Sequence, residues 1–281
     1  MTDQIIINNA QREKAKAFLR MHQTEGMFVI PNAWDAASAY IYEKASFAAV
    51  ATTSAGIAYA LGYPDGEQVS LEDLLFVVKK ITERVQVPVS VDFERGYAEE
   101  PVQVKENARR LLAAGAVGFN LEDGQTDGRL SPLELQIKKI QALCELKKEL
   151  DLPFVINART CAYWLNIGSE EEKLAEAVRR GNAFAEAGAD CVFVPGAMNQ
   201  ETARALVSGI HAPLNLILNG VYHDFAGLAK LGVRRLSTGS GPARFLCEET
   251  IKMAKKIKAG DVDAVLKSTF SYAKANAFFQ K

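Results

Sequence analysis

Short apolar runs alternate with helical patterns along most of this chain. The runs are rich in Val, Ile, Leu and Phe, which is typical of buried strands. They begin at Phe28, Phe47, Pro88, Val117, Pro153, Cys191, Pro213 and Arg234. An amphipathic helix is predicted before them, from about Asn8 to Glu25. Eight strands that alternate with helices predict an α/β fold, a (β/α)8 TIM barrel, rather than an open doubly wound sheet.

Three segments repeat one pattern of a helix end, a glycine and an apolar strand. Gly115, Gly188 and Gly232 are the glycines of this repeat, and we expect them to end helices in the left-handed conformation. Two helical patterns follow the eighth strand, at 242–260 and 261–280, one more than a barrel requires. We therefore predict a single domain over 1–281, with an N-terminal helix in 1–26, a barrel core in 27–245 and C-terminal helices in 246–281.

The charge balance narrows the class of partner. The 281 residues include 33 basic and 34 acidic side chains, spread along the chain, so no strong field attracts nucleic acid or an anionic membrane. No apolar stretch approaches the ~20 residues of a membrane span, and no secretory leader is evident. We expect a cytoplasmic protein with reduced cysteines and a small-molecule partner.

Acidic side chains stand where predicted strands end, which is where barrel enzymes carry their chemistry. Asp92 and Glu94 close the third strand, and Glu122 closes the fourth. Carboxylates on adjacent strands can converge on a hard divalent cation such as Mg²⁺ or Mn²⁺. The alternative is that these acids are solvated, or that they pair with Arg95 and Arg159.

Other positions on the same predicted edge suit an anionic substrate. Arg159 ends the fifth strand, where it could bind a carboxylate or a phosphonate, or only neutralise the nearby acids. The small-residue turn at 52–56 could bind an anion through backbone N–H groups. Asp65 lies in a loop after the second strand, where it is either a turn former or a catalytic residue.

A second hypothesis comes from the run at 237–241 after the eighth strand. It opens a helix, and many barrels bind phosphate at such a helix N-terminus, so a phosphosugar ligand is the competing expectation. The three histidines have no metal-binding spacing. Trp34 and Trp164 are expected to pack rather than to bind.

Six motifs together resemble the isocitrate lyase and phosphoenolpyruvate mutase superfamily. They are PNAWD (31–35), TTSAGIA (52–58), LGYPDG (61–66), VDFERGY (91–97), NLEDG (120–124) and NART (157–160). The resemblance covers roughly residues 25–245. It implies a barrel whose last helix is swapped between subunits, a homodimer or homotetramer, and Mg²⁺ (or Mn²⁺) bound to a 2-oxo acid or its enolate.

The resemblance also assigns roles to individual positions. It implies a metal site at Asp92, Glu94 and Glu122, with Asp65 near the metal waters. It implies that Ser54, Ala55 and Gly56 hold the substrate carboxylate, and that Arg159 holds the far end of a small carboxylic acid. We expect specificity to come from the loop 124–131 and from side chains near Cys161, Pro195 and Asn215, with Asn215 as a substrate-binding residue.

The loop after the fourth strand departs from the specialised members. Residues 124–131 lack the Lys-x-Cys-Gly-His sequence of isocitrate and methylisocitrate lyases, and they also lack the Lys and Asn-Ser pair of phosphonomutases. After the sixth strand the chain has residues 194–197 (VPGA), where phosphonomutases present a histidine and lyases a glutamate.

These departures favour a reaction that needs no protein base. We predict a Mg²⁺-dependent carbon–carbon lyase of decarboxylase type, because breaking the bond from C3 to the carboxylate of an oxaloacetate-like acid gives the enolate directly. A methylisocitrate or dimethylmalate lyase is the first alternative, but it needs a base, for which Asp127 or a water on Asp65 is a poor candidate. A phosphonopyruvate hydrolase or phosphoenolpyruvate phosphonomutase and a catalytically inactive binding protein are further alternatives.

Overall fold

The computed structural model describes residues 7–280, and the chain divides into two compact units, one ending at Gly239 and one beginning at Ser240. The described part of the first unit contains nine parallel strands. They are β1 Phe28–Ile30, β2 Asn32–Ala33, β3 Val50–Thr52, β4 Val89–Asp92, β5 Gly118–Glu122, β6 Val155–Arg159, β7 Cys191–Val194, β8 Leu214–Ile217 and β9 Arg235–Ser237. The single domain over 1–281 stays a prediction.

The strands form a nearly closed parallel barrel of the TIM type. In the sheet, β1 lies at one end beside β9, and β2 lies at the other end beside β3. Only Pro31 separates β1 from β2 in the chain, so the two ends of the sheet meet in one extended segment. The eight predicted strands are therefore present, with the first divided at a proline, which has no N–H group to contribute to a ladder.

Helices follow the strands in the first unit as the alternating pattern predicts. Their bounds are α1 Asn9–Gln23, α2 Ala36–Lys44, α3 Ser54–Ala60, α4 Leu71–Arg84, α5 Pro101–Ala113, α6 Leu133–Leu150, α7 Glu170–Glu186, α8 Gln200–Gly209 and α9 Phe225–Leu231. Local chemistry sets several ends. Ser169 and Glu172 form a capping box at the start of α7, and Gly232 ends α9 with a φ of 100°.

Helix α1 covers the N-terminal ends of central strands. Its Phe18 is fully buried and lies against Gly118, where a Cβ atom would come within 2.8 Å of the Phe18 ring. Gln11 donates its side-chain amide to the carbonyls of Leu112 and Ala116, at 2.8 and 3.0 Å. The helix thus closes the end of the barrel opposite to the strand ends that carry the polar residues.

Apolar packing between the barrel and its helices holds the strands in place. Val192 of β7 and Leu216 of β8 pack with Leu206 of α8 and Leu228 of α9, and all four side chains are almost completely buried. Phe193, which follows Val192 in β7, faces the opposite side of that strand, toward Arg159. This packing fixes the positions of the strands and therefore of their carboxyl ends.

The second unit is helical. It contains α10 Gly241–Lys258, α11 Asp263–Leu266 and α12 Tyr272–Phe279, so the predicted pattern over 261–280 forms two short helices rather than one. Several of its large apolar side chains are exposed in the single chain, among them Phe245, Leu246, Ile251, Ile257, Phe270 and Tyr272. Swapping of a helix between subunits stays a prediction. In the described range of the chain, none of the helices combines the length and apolar character that crossing a membrane would require.

Candidate active site

Polar residues occupy two neighbouring rows at the carboxyl ends of β4, β5 and β6. In the lower row, Asp92, Asn120 and Asn157 are aligned partners on the three strands. Two residues further along β5 and β6, Glu122 is aligned with Arg159. Because residues two apart face the same side of a strand, both rows point into the barrel. This shared orientation brings distant parts of the sequence into one site.

A cavity of about 150 Å³ opens above the upper row. Its walls include five of the site residues predicted from the sequence, namely Ser54, Asp65, Glu94, Glu122 and Arg159. The remaining wall residues are Gly66, Arg95, Gly124, Gln125, Thr126, Cys161, Trp164 and Leu165. The cavity therefore combines several carboxylates with two guanidinium groups.

The turn after β3 supports Asp92 from one side. The Ser54 hydroxyl and backbone N–H donate to Asp92 Oδ2 at 3.0 and 3.3 Å. Thr53 caps α3 by accepting from the Gly56 N–H, and Ala55 and Gly56 are buried in the first turn of that helix. The predicted carboxylate-binding turn is thus a helix start that contacts the acidic cluster, and its role in substrate binding stays a prediction.

Glu94 lies in a strained turn that directs its carboxylate into the cavity. Its φ of 49° is in the left-handed region, which is uncommon for a residue with a side chain. The Glu67 N–H donates to Glu94 Oε2 at 2.6 Å, and the Tyr97 hydroxyl donates to Oε1 at 3.3 Å. Burial, followed by the negative charges of Asp92 and Glu122, raises the pKa of Glu94 to about 8.

Glu122 and Arg159 form an ion pair on the cavity wall, with 2.7 Å between Oε2 and Nη1. Burial raises the pKa of Glu122 to about 7 even though Arg159 favours its charged form. The guanidinium lies beside the rings of Trp164 and Phe193, at 5.6 and 5.7 Å from their centroids. Trp164 is therefore a cavity-wall residue that is 56% exposed, and the expectation that it packs rather than binds stays a prediction.

Three residues that were not among the predicted catalytic, metal-binding or substrate-binding residues contribute to this site. Arg95 pairs with the Glu67 carboxylate, which also accepts from the Arg95 N–H at 3.0 Å. The same guanidinium donates to Gln125 Oε1 at 3.4 Å. Arg95 follows Glu94 in the VDFERGY motif (91–97), so its position near the site could be predicted from the sequence. Glu67 and Gln125 lie in irregular loops, where no periodicity indicates which way a side chain points.

Several candidate residues are not among the cavity-wall residues in the described range, namely Ala55, Gly56, Asp92, Asp127 and Asn215. Asn215 is fully buried in the barrel interior, where it accepts a hydrogen bond from Ser237 Oγ at 2.9 Å, and it does not appear among the wall residues in the described range. Its role in substrate binding stays a prediction. Asp127 is exposed on the loop and binds Arg129 at 2.8 Å, which lowers the pKa of Asp127.

Two backbone donors of the turn after β9 are occupied. The N–H groups of Thr238 and Gly239 both donate to Asn32 Oδ1 at 2.9 Å. A Cβ atom on Gly239 would come within 2.5 Å of Ile217, so the turn packs tightly. Because a phosphate would need these N–H groups, the geometry disfavours the phosphosugar hypothesis.

The acidic cluster suits a hydrated divalent cation. Between residues 7 and 280, no three His, Cys, Asp or Glu side chains are arranged to hold a metal directly. Mg²⁺ does not require such a set, because it commonly keeps several waters and binds through one or two carboxylates together with its substrate. Burial is the main cause of the raised pKa values of Glu94 and Glu122, neighbouring acids add to it, and a bound cation would favour the charged form of both carboxylates. The chemistry of the donor set therefore fits a hydrated Mg²⁺ ion.

A parallel barrel with an acidic, arginine-containing cavity at its strand ends is typical of a small-molecule enzyme. The chain belongs to the phosphoenolpyruvate phosphomutase family, whose model matches residues 18–258, and hence to the superfamily that includes isocitrate lyase. Members of this superfamily are lyases, mutases and hydrolases that act on small carboxylic acids.

Three relatives show the range of the similarity. An uncharacterised protein of Mycobacterium tuberculosis is 34% identical over 227 residues, covering 80% of this chain and 83% of its own length. A 2-methylisocitrate lyase of Halalkalibacterium halodurans is 28% identical over 240 residues, covering 83% and 73%. An oxaloacetate decarboxylase of Rhodopseudomonas palustris is 26% identical over 208 residues, covering 71% and 69%.

Solved structures share the fold. A Burkholderia cenocepacia protein with a provisional assignment as a lyase or mutase has a TM-score of 0.90 at 29% identity, covering 98% of both chains. A phosphonopyruvate hydrolase in complex with oxalate and Mg²⁺ has a TM-score of 0.82 at 23% identity, covering 94% of both chains. At that identity the second comparison shows the fold alone.

Proposed function

We propose that this chain is a Mg²⁺-dependent carbon–carbon lyase of decarboxylase type that acts on a small 2-oxo acid. The observation that carries the proposal is that Glu94, Glu122 and Arg159 face one small cavity, with Asp92 directly behind Ser54. Relatives named oxaloacetate decarboxylase and a similar fold solved with oxalate and Mg²⁺ support it. In this proposal, Asp92, Glu94 and Glu122 would hold the metal, and Asp65 would bind its waters.

The size of the cavity supports a small substrate. Its volume of about 150 Å³ is below the roughly 300–1,000 Å³ of pockets for drug-sized ligands. An acid of about four carbon atoms suits such a space better than a branched tricarboxylic acid. The walls are polar, so the substrate would be fixed by charge and hydrogen bonds rather than by apolar contact.

Arg159 is the residue that would orient the departing carboxylate. Its planar guanidinium can form two parallel hydrogen bonds to a carboxylate, and its Nε has no hydrogen-bond partner within the described part of the chain. The ion pair with Glu122 and the flanking rings hold it in place. When bound, Mg²⁺ would supply a Lewis acid that stabilises the negative charge developing on the 2-oxo oxygen.

The loop at 124–131 supports decarboxylation over a retro-aldol cleavage. A retro-aldol cleavage needs a base for the substrate hydroxyl, and this loop contains neither Cys nor Lys nor His. Its one acid, Asp127, is exposed and bound to Arg129. A decarboxylation needs no such base, because the departing carboxylate leaves its electron pair on the substrate.

The test is pyruvate formation from oxaloacetate by purified protein with Mg²⁺, measured against the rate with the metal alone. We expect a protein-dependent rate that a chelator abolishes and that Asp92→Ala lowers by at least about 100-fold. The matched control is Asp73→Ala, which removes an exposed acid on α4 that does not line the cavity, and it should leave the rate unchanged.

Each alternative predicts a different result in the same preparation. Pyruvate formation no faster than with the metal alone would contradict the decarboxylase proposal. Cleavage of 2-methylisocitrate or 2,3-dimethylmalate would then indicate the retro-aldol lyase, and phosphate release from phosphonopyruvate would indicate the hydrolase. Calorimetric binding of oxalate with Mg²⁺ but without turnover of any of these acids would indicate a binding protein.

A further inference from the structure

A row of three polar side chains runs beneath the cavity. Asp92, Asn120 and Asn157 are direct neighbours across β4, β5 and β6, and they are at most 9% exposed. Burying an amide costs free energy unless the amide is hydrogen-bonded, and apolar side chains would pack in the barrel without that cost. Packing alone therefore does not explain why these three positions are polar.

Both hydrogen bonds of the row are donated toward Asp92. Asn157 Nδ2 donates to Asn120 Oδ1 at 2.7 Å, and Asn120 Nδ2 donates to Asp92 Oδ1 at 3.4 Å. A side-chain amide has one accepting oxygen and one donating nitrogen, at opposite corners. Because Asn157 engages the oxygen of Asn120, the nitrogen of Asn120 must face Asp92. Asn157 thus fixes the orientation in which Asn120 can support the carboxylate.

Both carboxylate oxygens of Asp92 accept hydrogen bonds from groups in the described chain. Oδ1 accepts from Asn120, and Oδ2 accepts from the hydroxyl and the backbone N–H of Ser54. In addition, the Asp92 N–H donates to Thr52 Oγ1 at 2.9 Å. A carboxylate that is hydrogen-bonded at both oxygens is held in one orientation, which is what a preformed cation site requires.

We propose that Asn120 and Asn157 are positioning residues that orient Asp92 for cation binding, with Asn157 acting only through Asn120. The proposal rests on the metal site of the proposed function. Neither amide belongs to the cavity wall within the described residues, so both act from beneath the site. Partners that orient metal ligands in this way typically account for roughly 10–100-fold in metal affinity.

The test is a double-mutant cycle on Mn²⁺ affinity, measured by calorimetry on the full chain in the absence of substrate. Asn120→Leu and Asn157→Leu remove the amides while keeping the number and branching of the side-chain heavy atoms, and each should weaken Mn²⁺ binding about tenfold. The double variant should bind Mn²⁺ as weakly as Asn120→Leu alone, because Asn157 acts through Asn120. Equal and additive losses would overturn this dependence.

Two further variants separate positioning from stability. Ser237→Ala removes another buried donor inside the barrel, on β9, and should lower the melting temperature without changing Mn²⁺ affinity. Asn157→Ser keeps a hydroxyl donor in a smaller side chain, so it should retain more Mn²⁺ affinity than Asn157→Leu even if the leucine variant folds poorly. Wild-type affinity in a folded Asn157→Leu would overturn the proposal.

The same titration distinguishes this inference from the proposed function. If the unmodified chain did not bind Mn²⁺, the metal site itself would be wrong, and the positioning role would fall with it. If the unmodified chain bound Mn²⁺ and both leucine variants bound it equally well, only the positioning role would be wrong.

Discussion

Glu94 is a buried carboxylate that faces other acids rather than a cation. No Lys, Arg or His lies within salt-bridge distance of it in the part of the chain that the structure describes. Its negative charge is instead met by the Glu67 N–H and the Tyr97 hydroxyl. Glu94 should therefore bind a proton or a metal ion readily, and the effect on protein stability can be measured.

The stability of the metal-free protein should decrease as the pH rises. The pKa of Glu94 is about 8 in the folded state, compared with an ordinary value of 4.5, so the folded state binds this proton more tightly. The resulting contribution to stability is fully present below pH 4.5 and is lost as the pH rises through 8. We expect the melting temperature to fall by a few degrees, roughly the effect of about 1 kcal/mol, between pH 6 and pH 9.

Glu94→Gln is the control for this pH dependence. The amide cannot ionise, so the variant should lose much less stability over the same pH range. Mg²⁺ should raise the melting temperature of the unmodified chain more at pH 9 than at pH 6, because protons no longer compete for the carboxylates. Identical pH profiles for the chain and the variant would show that Glu94 does not carry the effect.

Arg159 should not be replaceable by lysine. Its guanidinium reaches Glu122 at 2.7 Å and can still present a second edge to a substrate carboxylate, which a single ammonium group cannot do. We expect Arg159→Lys to lower kcat/KM for oxaloacetate by at least about tenfold, equivalent to about 1.4 kcal/mol. Arg179→Lys, at an exposed position on α7 paired with Glu176, should change kcat/KM by less than about twofold.

At the scale of elements, the contacts that hold α1 to the barrel include one buried aromatic side chain and one amide. Phe18 fills the space left by Gly118, and Gln11 satisfies two carbonyls next to β5. Sequence periodicity predicted the helix and its apolar face. The strand that α1 contacts could not be predicted in the same way. It is β5, which begins with Gly118, and its position under the helix is set by the assembled sheet.

Removing the Phe18 ring should destabilise the protein strongly. Its side chain is fully buried against the sheet, so Phe18→Ala leaves a cavity and should lower the free energy of unfolding by about 3–5 kcal/mol. Phe76→Ala makes the same chemical change on α4, where the ring is 63% exposed, and should cost less than about 1 kcal/mol. Denaturant unfolding of both variants compares the two costs, and equal values would contradict the role of Phe18.

At the scale of the whole molecule, the unit from Ser240 to the C-terminus exposes much apolar surface in the single chain. Phe245 is 61% exposed and Leu246 is 50% exposed on α10. Exposed apolar patches of this kind commonly mark subunit interfaces. They agree with the homodimer or homotetramer that the family resemblance implies, which stays a prediction.

Light scattering of the purified chain should give the mass of a dimer or a tetramer. Introducing charge with Phe245→Glu and Leu246→Glu should lower that mass to the monomer, because the charges would be desolvated in an interface. Val102→Glu, on α5 at a side chain that is 79% exposed, is the matched control and should leave the mass unchanged. A monomeric unmodified chain would contradict the prediction.

The sequence by itself determined the order of strands and helices, the barrel, and the acids and the arginine that stand at strand ends. It could do so because strand and helix periodicities are local, and because the ends of parallel strands meet at one edge. It also indicated Ser54, Asp65, Glu94, Glu122 and Arg159, all of which line the cavity.

Only the tertiary structure decided how these residues are used. The pairing of Arg95 with Glu67, the exposure of Trp164 at the cavity and the burial of Asn215 inside the barrel depend on loop paths and on strand register. Likewise, the row from Asn157 to Asp92 exists because three strands align those residues. Such contacts join positions tens of residues apart, and no local periodicity encodes them.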